Sequence, residues 1–439
     1  MTQPVAYRAA MLYSLGDPVR VGLDNSFVWH EDGILVVADG HVQDVGPAPE
    51  VLERLPAGTR VVTLENRLIT PGFIDTHIHF PQTEMIASYG DQLLDWLNNY
   101  TFPEERKFAD RTHASRVAGL FLDELLRNGT TTAMVFGTVH KQAVDAFFAE
   151  SDRRNTRMIA GKVMMDRHAP EFLLDTPASS YADSRELIER WHNKGRQLYA
   201  VTPRFAPTST AEQLAVAGRL MREYDDLYMQ THLSENRQEI EWVKALFPEQ
   251  KGYLDVYDHF GLLGERSVFA HAVHLEQEES ERMGATDSVI SHCPTSNLFL
   301  GSGLFDLPAA ERHRIRVGLG TDVGAGTSFS MLQTINEAYK IQQLQQHKLH
   351  PMKAFYLATL GGAEALRLDD RLGNLLPGKE ADFLVLDLAA TPLMSARIQN
   401  AQTLYEKLFV LMMLGDDRAI AETYVYGECR HRRDHPQAQ

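Results

Sequence analysis

PGFIDTHIHFPQ (Pro71–Gln82) sets two histidines one residue apart in a run that otherwise reads as buried strand. Side chains at i and i+2 of a strand share a face, so His77 and His79 project together from its end. The same texture recurs downstream. Short apolar runs, TTAMVFG, MIAGKVMMD, LYAVTPRF, LYMQTHLS, SVFAHAVHL, DSVISHCP and RVGLGTDVG, alternate with amphipathic helical segments. One such helix is capped by Asp110, runs through SRVAGLFLDELLRN, and stops at Gly129. Eight strands interleaved with helices over about 250 residues predict a (β/α)8 barrel.

The flanks read differently. GILVVADGHVQDVG pairs two strand-like runs across an Asp39-Gly40 turn, and strand texture returns in ADFLVLDL and AETYVYGECR. The expected architecture is an α/β chain in three segments. Residues 1–70 and 373–439 form a small β-sandwich from both termini, beside a catalytic barrel over 71–372. A doubly wound open sheet is the alternative, and the flanking β-segments disfavour it.

The chain has 439 residues, a formal net charge of −16 and 44% hydrophobic residues, enough to bury a core without disulfide staples. Its two cysteines, Cys293 and Cys429, give no disulfide framework and fit a reducing, cytoplasmic setting. The first fifteen residues lack the apolar core and cleavage site of a secretory signal, and no run approaches the roughly 18 apolar residues of a membrane span. The acidic balance argues against nucleic acid as a partner, because phosphate contacts need clustered Lys and Arg. The basic tail CRHRRDHP reads as a solvated end. These features point to an enzyme of small molecules.

The strand ends carry the chemistry. QTHLSE puts His232 at the end of the fifth strand, FAHAVH puts His271 at the sixth, and LGTDVG puts Asp322 at the eighth. Barrel active sites sit at this end. Imidazoles with a carboxylate suit a divalent metal that keeps an open coordination position. Glu235, three residues past His232, can curl back over the metal as a general acid/base. Read alone, it is equally a carboxylate at the N-terminus of the following helix.

Other residues read as structural. Lys162 in the third strand could in principle bridge two metals when carbamylated, but a barrel-core or helix-layer lysine is the simpler reading. The fourth strand offers no lysine, so the site reads as mononuclear. His274 falls on the loop after the sixth strand. His292 and Cys293 end the seventh, with Cys293 read as a small packed residue. GLGTDVGAGTS lacks the GxGxxG spacing and the P-loop lysine of a phosphate loop.

Taken in order, PGFIDTHIH, THLSEN, SHCPTSN and GLGTDV resemble the metal-dependent amidohydrolase superfamily in its aminohydrolase branch. DTHIHFPQ, TPRF, THLSENRQEI, SHCPTSNLFLGSG, GLGTDVGAGTSFSM and the closing ATLGGAEALRLDDRLGNLLPGKEADFLVLD narrow the resemblance to its guanine deaminase family, from about Leu68 to Asp387. The resemblance implies His77, His79, His232 and Asp322 as metal ligands, Glu235 as proton shuttle, and His271 as the residue that orients the attacking water. It implies that Gln82, Arg204 and Phe205 hold the purine, with His232, Glu235 and Asp322 also facing it. Read without the resemblance, those first three are a strand-terminal Gln, a surface Arg and a core Phe. The implied reaction is hydrolysis of guanine to xanthine and ammonia at one zinc per chain, with Asp322 and His271 accepting the proton of the attacking water. The implied assembly is a homodimer. Histidine and carboxylate ligands do not by themselves separate zinc from iron or manganese. A related aminohydrolase acting on another aminopurine, a pterin or a triazine is the alternative. Cyclic-amide hydrolysis would need a second metal, and a non-enzymatic scaffold would have lost ligands.

Overall fold

The computed structural model describes residues 3–89 and 93–433. Among these residues, sixteen strands fall into two sheets. Strands β5 (Phe73–His79), β6 (Thr130–Phe136), β7 (Arg157–Gly161), β9 (Leu198–Pro203), β10 (Tyr228–Leu233), β11 (Ser267–His271), β12 (Val289–His292) and β13 (Arg316–Leu319) pair in parallel in that order. The third position is broken. β7 ends at Gly161, and a two-residue β8 (Val163–Met164) continues the pairing with β9. Closure comes from backbone bonds just past β13, with Asp322 N donating to His77 O at 2.9 Å and His79 N to Val323 O at 2.9 Å. The barrel is nearly closed and parallel, as the alternation of strands and helices predicts.

Every residue of β5, β6 and β9 is buried, because helices cover the outer face and barrel side chains fill the inner one. The helix Arg111–Arg127 starts where Asp110 accepts a hydrogen bond from Thr112 N at 2.8 Å, and the chain leaves it through Gly129 at φ +80°. Only glycine adopts that backbone without strain. The lower end of the barrel is stoppered by apolar side chains. Ile74, Met134, Ile159, Ala200 and Val268 pack against Ala363, Leu366 and Leu372.

Both termini join in a single seven-stranded mixed sheet beside the barrel. Its members are β1 (Val5–Ser14), β2 (Phe27–Ala38), β3 (His41–Pro47), β4 (Arg60–Pro71), β14 (Phe383–Leu386), β15 (Ile420–Val425) and β16 (Glu428–Arg432). β2 and β3 form the hairpin read from Asp39-Gly40, whose φ values of +49° and +75° match the turn that right-twisted strands favour. One face is cored by Tyr7, Phe383 and Tyr424, the last two stacked with ring centroids 4.2 Å apart. β4 runs straight into β5 through Gly72, so this sheet anchors the strand that carries the two leading histidines. Of the basic tail, Cys429–Arg432 lies in β16, while Asp434 onward lies outside the described residues. Among the described residues, no helix is long and apolar enough to cross a membrane.

Candidate active site

The ends of β5 and β10 and the turn after β13 bring four donor atoms to one point. Nε2 of His79 lies 3.2 Å from Nε2 of His77 and 3.3 Å from Nε2 of His232. Oδ1 of Asp322 lies 3.1 and 3.3 Å from the Nε2 atoms of His77 and His79. Nitrogen lone pairs facing each other in a buried space repel unless a cation sits between them. Metal–ligand bonds of about 2.0–2.1 Å in a tetrahedral set separate neighbouring donors by roughly 3.3–3.4 Å, close to the spacings here. The set can hold a metal ion.

The donors are prepared for that task. Nδ1 of His232 lies 2.6 Å from Arg204 O, which fixes the ring proton on Nδ1 and leaves Nε2 bare. Burial holds His79 down at about 4 and His232 well below the ordinary imidazole value. Burial alone would raise Asp322, but His77, through its field and its hydrogen bond, and the hydrogen bond of His79 reverse this and hold it well below the carboxylate range. His79 and His232 therefore carry no proton to displace at neutral pH. Three free imidazoles at pH 6 would carry about 2.3 protons together, taking a pKa of about 6.5 for each. Metal uptake at pH 6 should instead release about one proton or fewer per chain, measurable by calorimetry in buffers of different ionisation enthalpy. Release of two or more would contradict the depressed imidazoles.

Backbone conformation marks the same spot. Ser234, His271, Ala272 and Asp322 all have φ between +46° and +72°, a region that non-glycine residues enter at a cost of about 1–3 kcal/mol each. Such strain persists where surrounding structure over-determines it, and here it aims His271 and Asp322 inward.

Glu235 and His271 face each other across the donor cluster, with Glu235 Oε2 3.4 Å from His271 Nε2. Ser302 Oγ donates to Glu235 Oε1 at 2.9 Å. Burial pushes Glu235 well above the carboxylate range, and the charges of Asp322 and Glu239 add to that. The loop that carries Glu235 is held from behind. Glu239 Oε2 accepts from Glu235 N at 2.9 Å and Asn236 N at 3.1 Å, while Tyr253 OH donates to its Oε1 at 2.7 Å. Glu239 is also the closing member of the capping box of the helix Arg237–Leu246. On the other side, Asn297 Nδ2 lies 2.9 Å from His271 Nδ1. With the amide donating, the ring proton sits on Nε2, aimed toward Glu235 and Asp322. Burial holds His271 down at about 3. In this tautomer the ring presents a donor toward Glu235 and Asp322.

The pocket beside these residues is lined by His79, Gln82, His232, Glu235, His271 and Asp322, by Arg204 and Phe205 from the end of β9, and by Trp96 and Leu97. Phe205 is buried and meets Trp242 edge-on at 6.2 Å. Gln82 Oε1 accepts from Gly324 N at 3.2 Å. Arg204 is buried rather than on the surface, and its partner is a residue the sequence reading passed over. Glu105, in the helix Phe102–Glu105, accepts from Arg204 Nη1 on both oxygens at 2.9 and 2.8 Å and from Gln82 Nε2 at 3.3 Å.

The residues read as structural divide. Lys162 Nζ pairs with Asp175 and bonds Val163 O at 3.1 Å, so it does not turn toward the metal ligands. Cys293 is buried and bonds Ser291 O at 3.5 Å, but its sulfur also lies within 4.8 Å of donor atoms of His77, His271 and Asp322, so it packs directly against the ligand cluster. His292 stacks on Phe305 at 4.5 Å, and His274 Nε2 lies 2.7 Å from Ser302 O, steadying the loop whose hydroxyl reaches Glu235.

Comparison with known proteins follows the same lines. Residues 68–429 match the profile of the Amidohydrolase family. Guanine deaminase of Escherichia coli K12 is 57% identical over 404 residues, 92% of each chain. The solved structure of an E. coli guanine deaminase superposes with a TM-score of 0.95 at 52% identity, covering 99% of this chain and 100% of that one. A guanine deaminase from C. acetobutylicum, crystallised with guanine in its active site, has a TM-score of 0.88 at 30% identity, with 97% and 99% covered. With its barrel, its terminal sheet and a profile match over most of its length, the chain belongs to the amidohydrolase family.

Proposed function

We propose that the chain hydrolyses guanine to xanthine and ammonia at a single divalent metal, zinc by family resemblance. The observation that carries this reading is the sharing of one pocket by His79, His232 and Asp322 of the four-residue cluster, the buried Glu235 and the Arg204–Gln82 pair. The 57% identity to a guanine deaminase over most of both chains supports the choice of base. A cytoplasmic homodimer is the assembly and setting we take from the resemblance and from the two free cysteines.

A divalent cation held by His77, His79, His232 and Asp322 would supply Lewis acidity, which lowers the pKa of a water molecule from 15.7 to about 7. The protein residues divide the rest. Nε2–H of His271 donates to the attacking oxygen and orients it. The Asp322 oxygen nearer His271 accepts the hydrogen bond of the attacking water, and Glu235 takes up its proton. Glu235, whose carboxyl holds a proton more readily than an ordinary carboxylate, protonates the ring nitrogen beside the amino-bearing carbon. A new C–O bond forms at that carbon and the C–N bond breaks. Glu235 returns the second proton of the water to the departing amine. Arg204 donates to the guanine 6-carbonyl and to N7, a pairing that suits guanidinium geometry. Gln82 offers both a donor and an acceptor, and Phe205 walls the ring.

Ammonia release from a panel of guanine, adenine, a pterin and an aminotriazine tests the reading. Guanine is expected to exceed adenine by at least about 10³-fold in kcat/KM, because a site built to hydrogen-bond a carbonyl leaves its donors unpaired against an amine. Preference for adenine, the pterin or the triazine would overturn the assignment.

A further inference from the structure

Glu105 has no place in the chemistry described above, yet it is wholly buried against Arg204 and Gln82, two residues that line the pocket. It reaches the base-binding residues from a different part of the chain. Arg204 comes from the end of β9, Gln82 from the turn after β5, and Glu105 from a short helix in the connection between β5 and β6. Its two oxygens take one nitrogen of Arg204 end-on, and one of them also takes the Gln82 amide. The Phe102 ring lies against the same guanidinium, 5.6 Å from its central carbon.

This arrangement leaves a definite remainder. Nη2 and Nε of Arg204 make no hydrogen bond among the described residues. Gln82 is held by both ends of its amide, between Glu105 and Gly324 N. A buried ion pair is a poor device for stability, since apolar side chains of similar volume serve as well or better. A buried pair that points its spare donors into a ligand pocket has a use that apolar residues lack.

We propose that Glu105 is a positioning residue for base selection. By holding one end of the Arg204 guanidinium and the amide of Gln82, it leaves a fixed donor pair that fits a purine with acceptors at its 6-carbonyl and at N7. A base with an amine at that position meets donor against donor. The inference rests on the guanine reading, and it assigns to Glu105 the orientation of the groups that read the base, with no contact to the reacting atoms.

A kinetic double-mutant cycle on the metal-loaded enzyme tests it, using Glu105→Gln, Arg204→Lys and the double variant. Glu105→Gln is expected to raise KM for guanine about 10–10²-fold with kcat changed by less than about threefold, the size of effect expected when a charge-assisted contact is lost. The competitive inhibition constant of 2-aminopurine, which lacks the 6-carbonyl, should move by less than about threefold. The double variant should cost little more than Arg204→Lys alone, because Glu105 acts through the arginine. Glu105→Asp should recover part of the loss. Equal effects on guanine and 2-aminopurine, or additive costs in the cycle, would overturn the proposal, as would a lowered melting temperature with unchanged kinetics of the folded enzyme. If Glu105→Gln does not fold, the Glu105→Asp and Arg204→Lys pair is read by the same criteria. A wild-type enzyme inert on guanine takes both readings down. One that turns guanine over while the cycle is additive removes only this inference.

Discussion

Replacing Glu235 by Gln is expected to lower kcat on guanine by about 10²–10⁴-fold, the range that a positioned general acid–base contributes. Metal content should stay at that of the wild type. The amide is nearly isosteric, and its oxygen can still accept the Ser302 hydroxyl that now reaches Glu235 Oε1 at 2.9 Å. The backbone of the loop is fixed independently by Glu239, so the variant side chain should occupy the same place. What it loses is the ability to carry a proton between the water, the ring nitrogen and the leaving amine. KM should change little, because the groups assigned to the base are Arg204, Gln82 and Phe205. Steady-state kinetics with metal analysis on the same sample checks this. Turnover within about threefold of wild type, with metal bound, would remove Glu235 from the chemistry.

Replacing Asp322 by Asn should act through the metal instead. Asp322 is the sole carboxylate of the four-residue cluster, and its Oδ1 lies against both leading histidines. Changing residues that merely support a ligand typically costs about 10–100-fold in metal affinity, so neutralising a ligand itself should exceed about 100-fold. In metal-limited buffer, activity should fall to background. In the metal-free protein Asp322→Asn should itself lower the melting point, because the neighbouring histidines hold this carboxylate well below the usual range and so favour its ionised form in the folded state. Added metal should raise the melting point of wild type far more, as ligand linkage requires. Equal stabilisation of both proteins by metal would show that Asp322 is not a ligand.

The parts of this site that were legible from residue order are those governed by strand periodicity. His77 and His79 share a face because they are two apart, and His232, His271 and Asp322 each follow an apolar run of strand length. Glu105 obeys no such rule. It lies in TFPEERKF, within the long connection between β5 and β6, where neither spacing nor composition says that Glu104 and Glu105 turn inward while Lys107 and Arg106 beside them stay outside, or that Glu105 is the one that meets Arg204. Asn297, Ser302 and Glu239 sit inside runs that resembled the family, yet their roles are to hold other side chains, which only the folded contacts reveal. The break in the third strand shows the same limit. MIAGKVMMD reads as one strand, but Lys162 turns out of line to meet Asp175, thirteen residues away, and splits the pairing into β7 and β8. The terminal sheet was legible as β-structure from alternation and the Asp39-Gly40 turn. Its joining of both chain ends through the β4–β14 pair depends on contacts more than 300 residues apart in sequence.

The most direct test of the account is to strip the protein of metal, titrate it back, and follow ammonia release from guanine. The account predicts that activity rises in proportion to added metal and levels off at one equivalent per chain. Full activity without metal, or a plateau reached only at two equivalents, would contradict it.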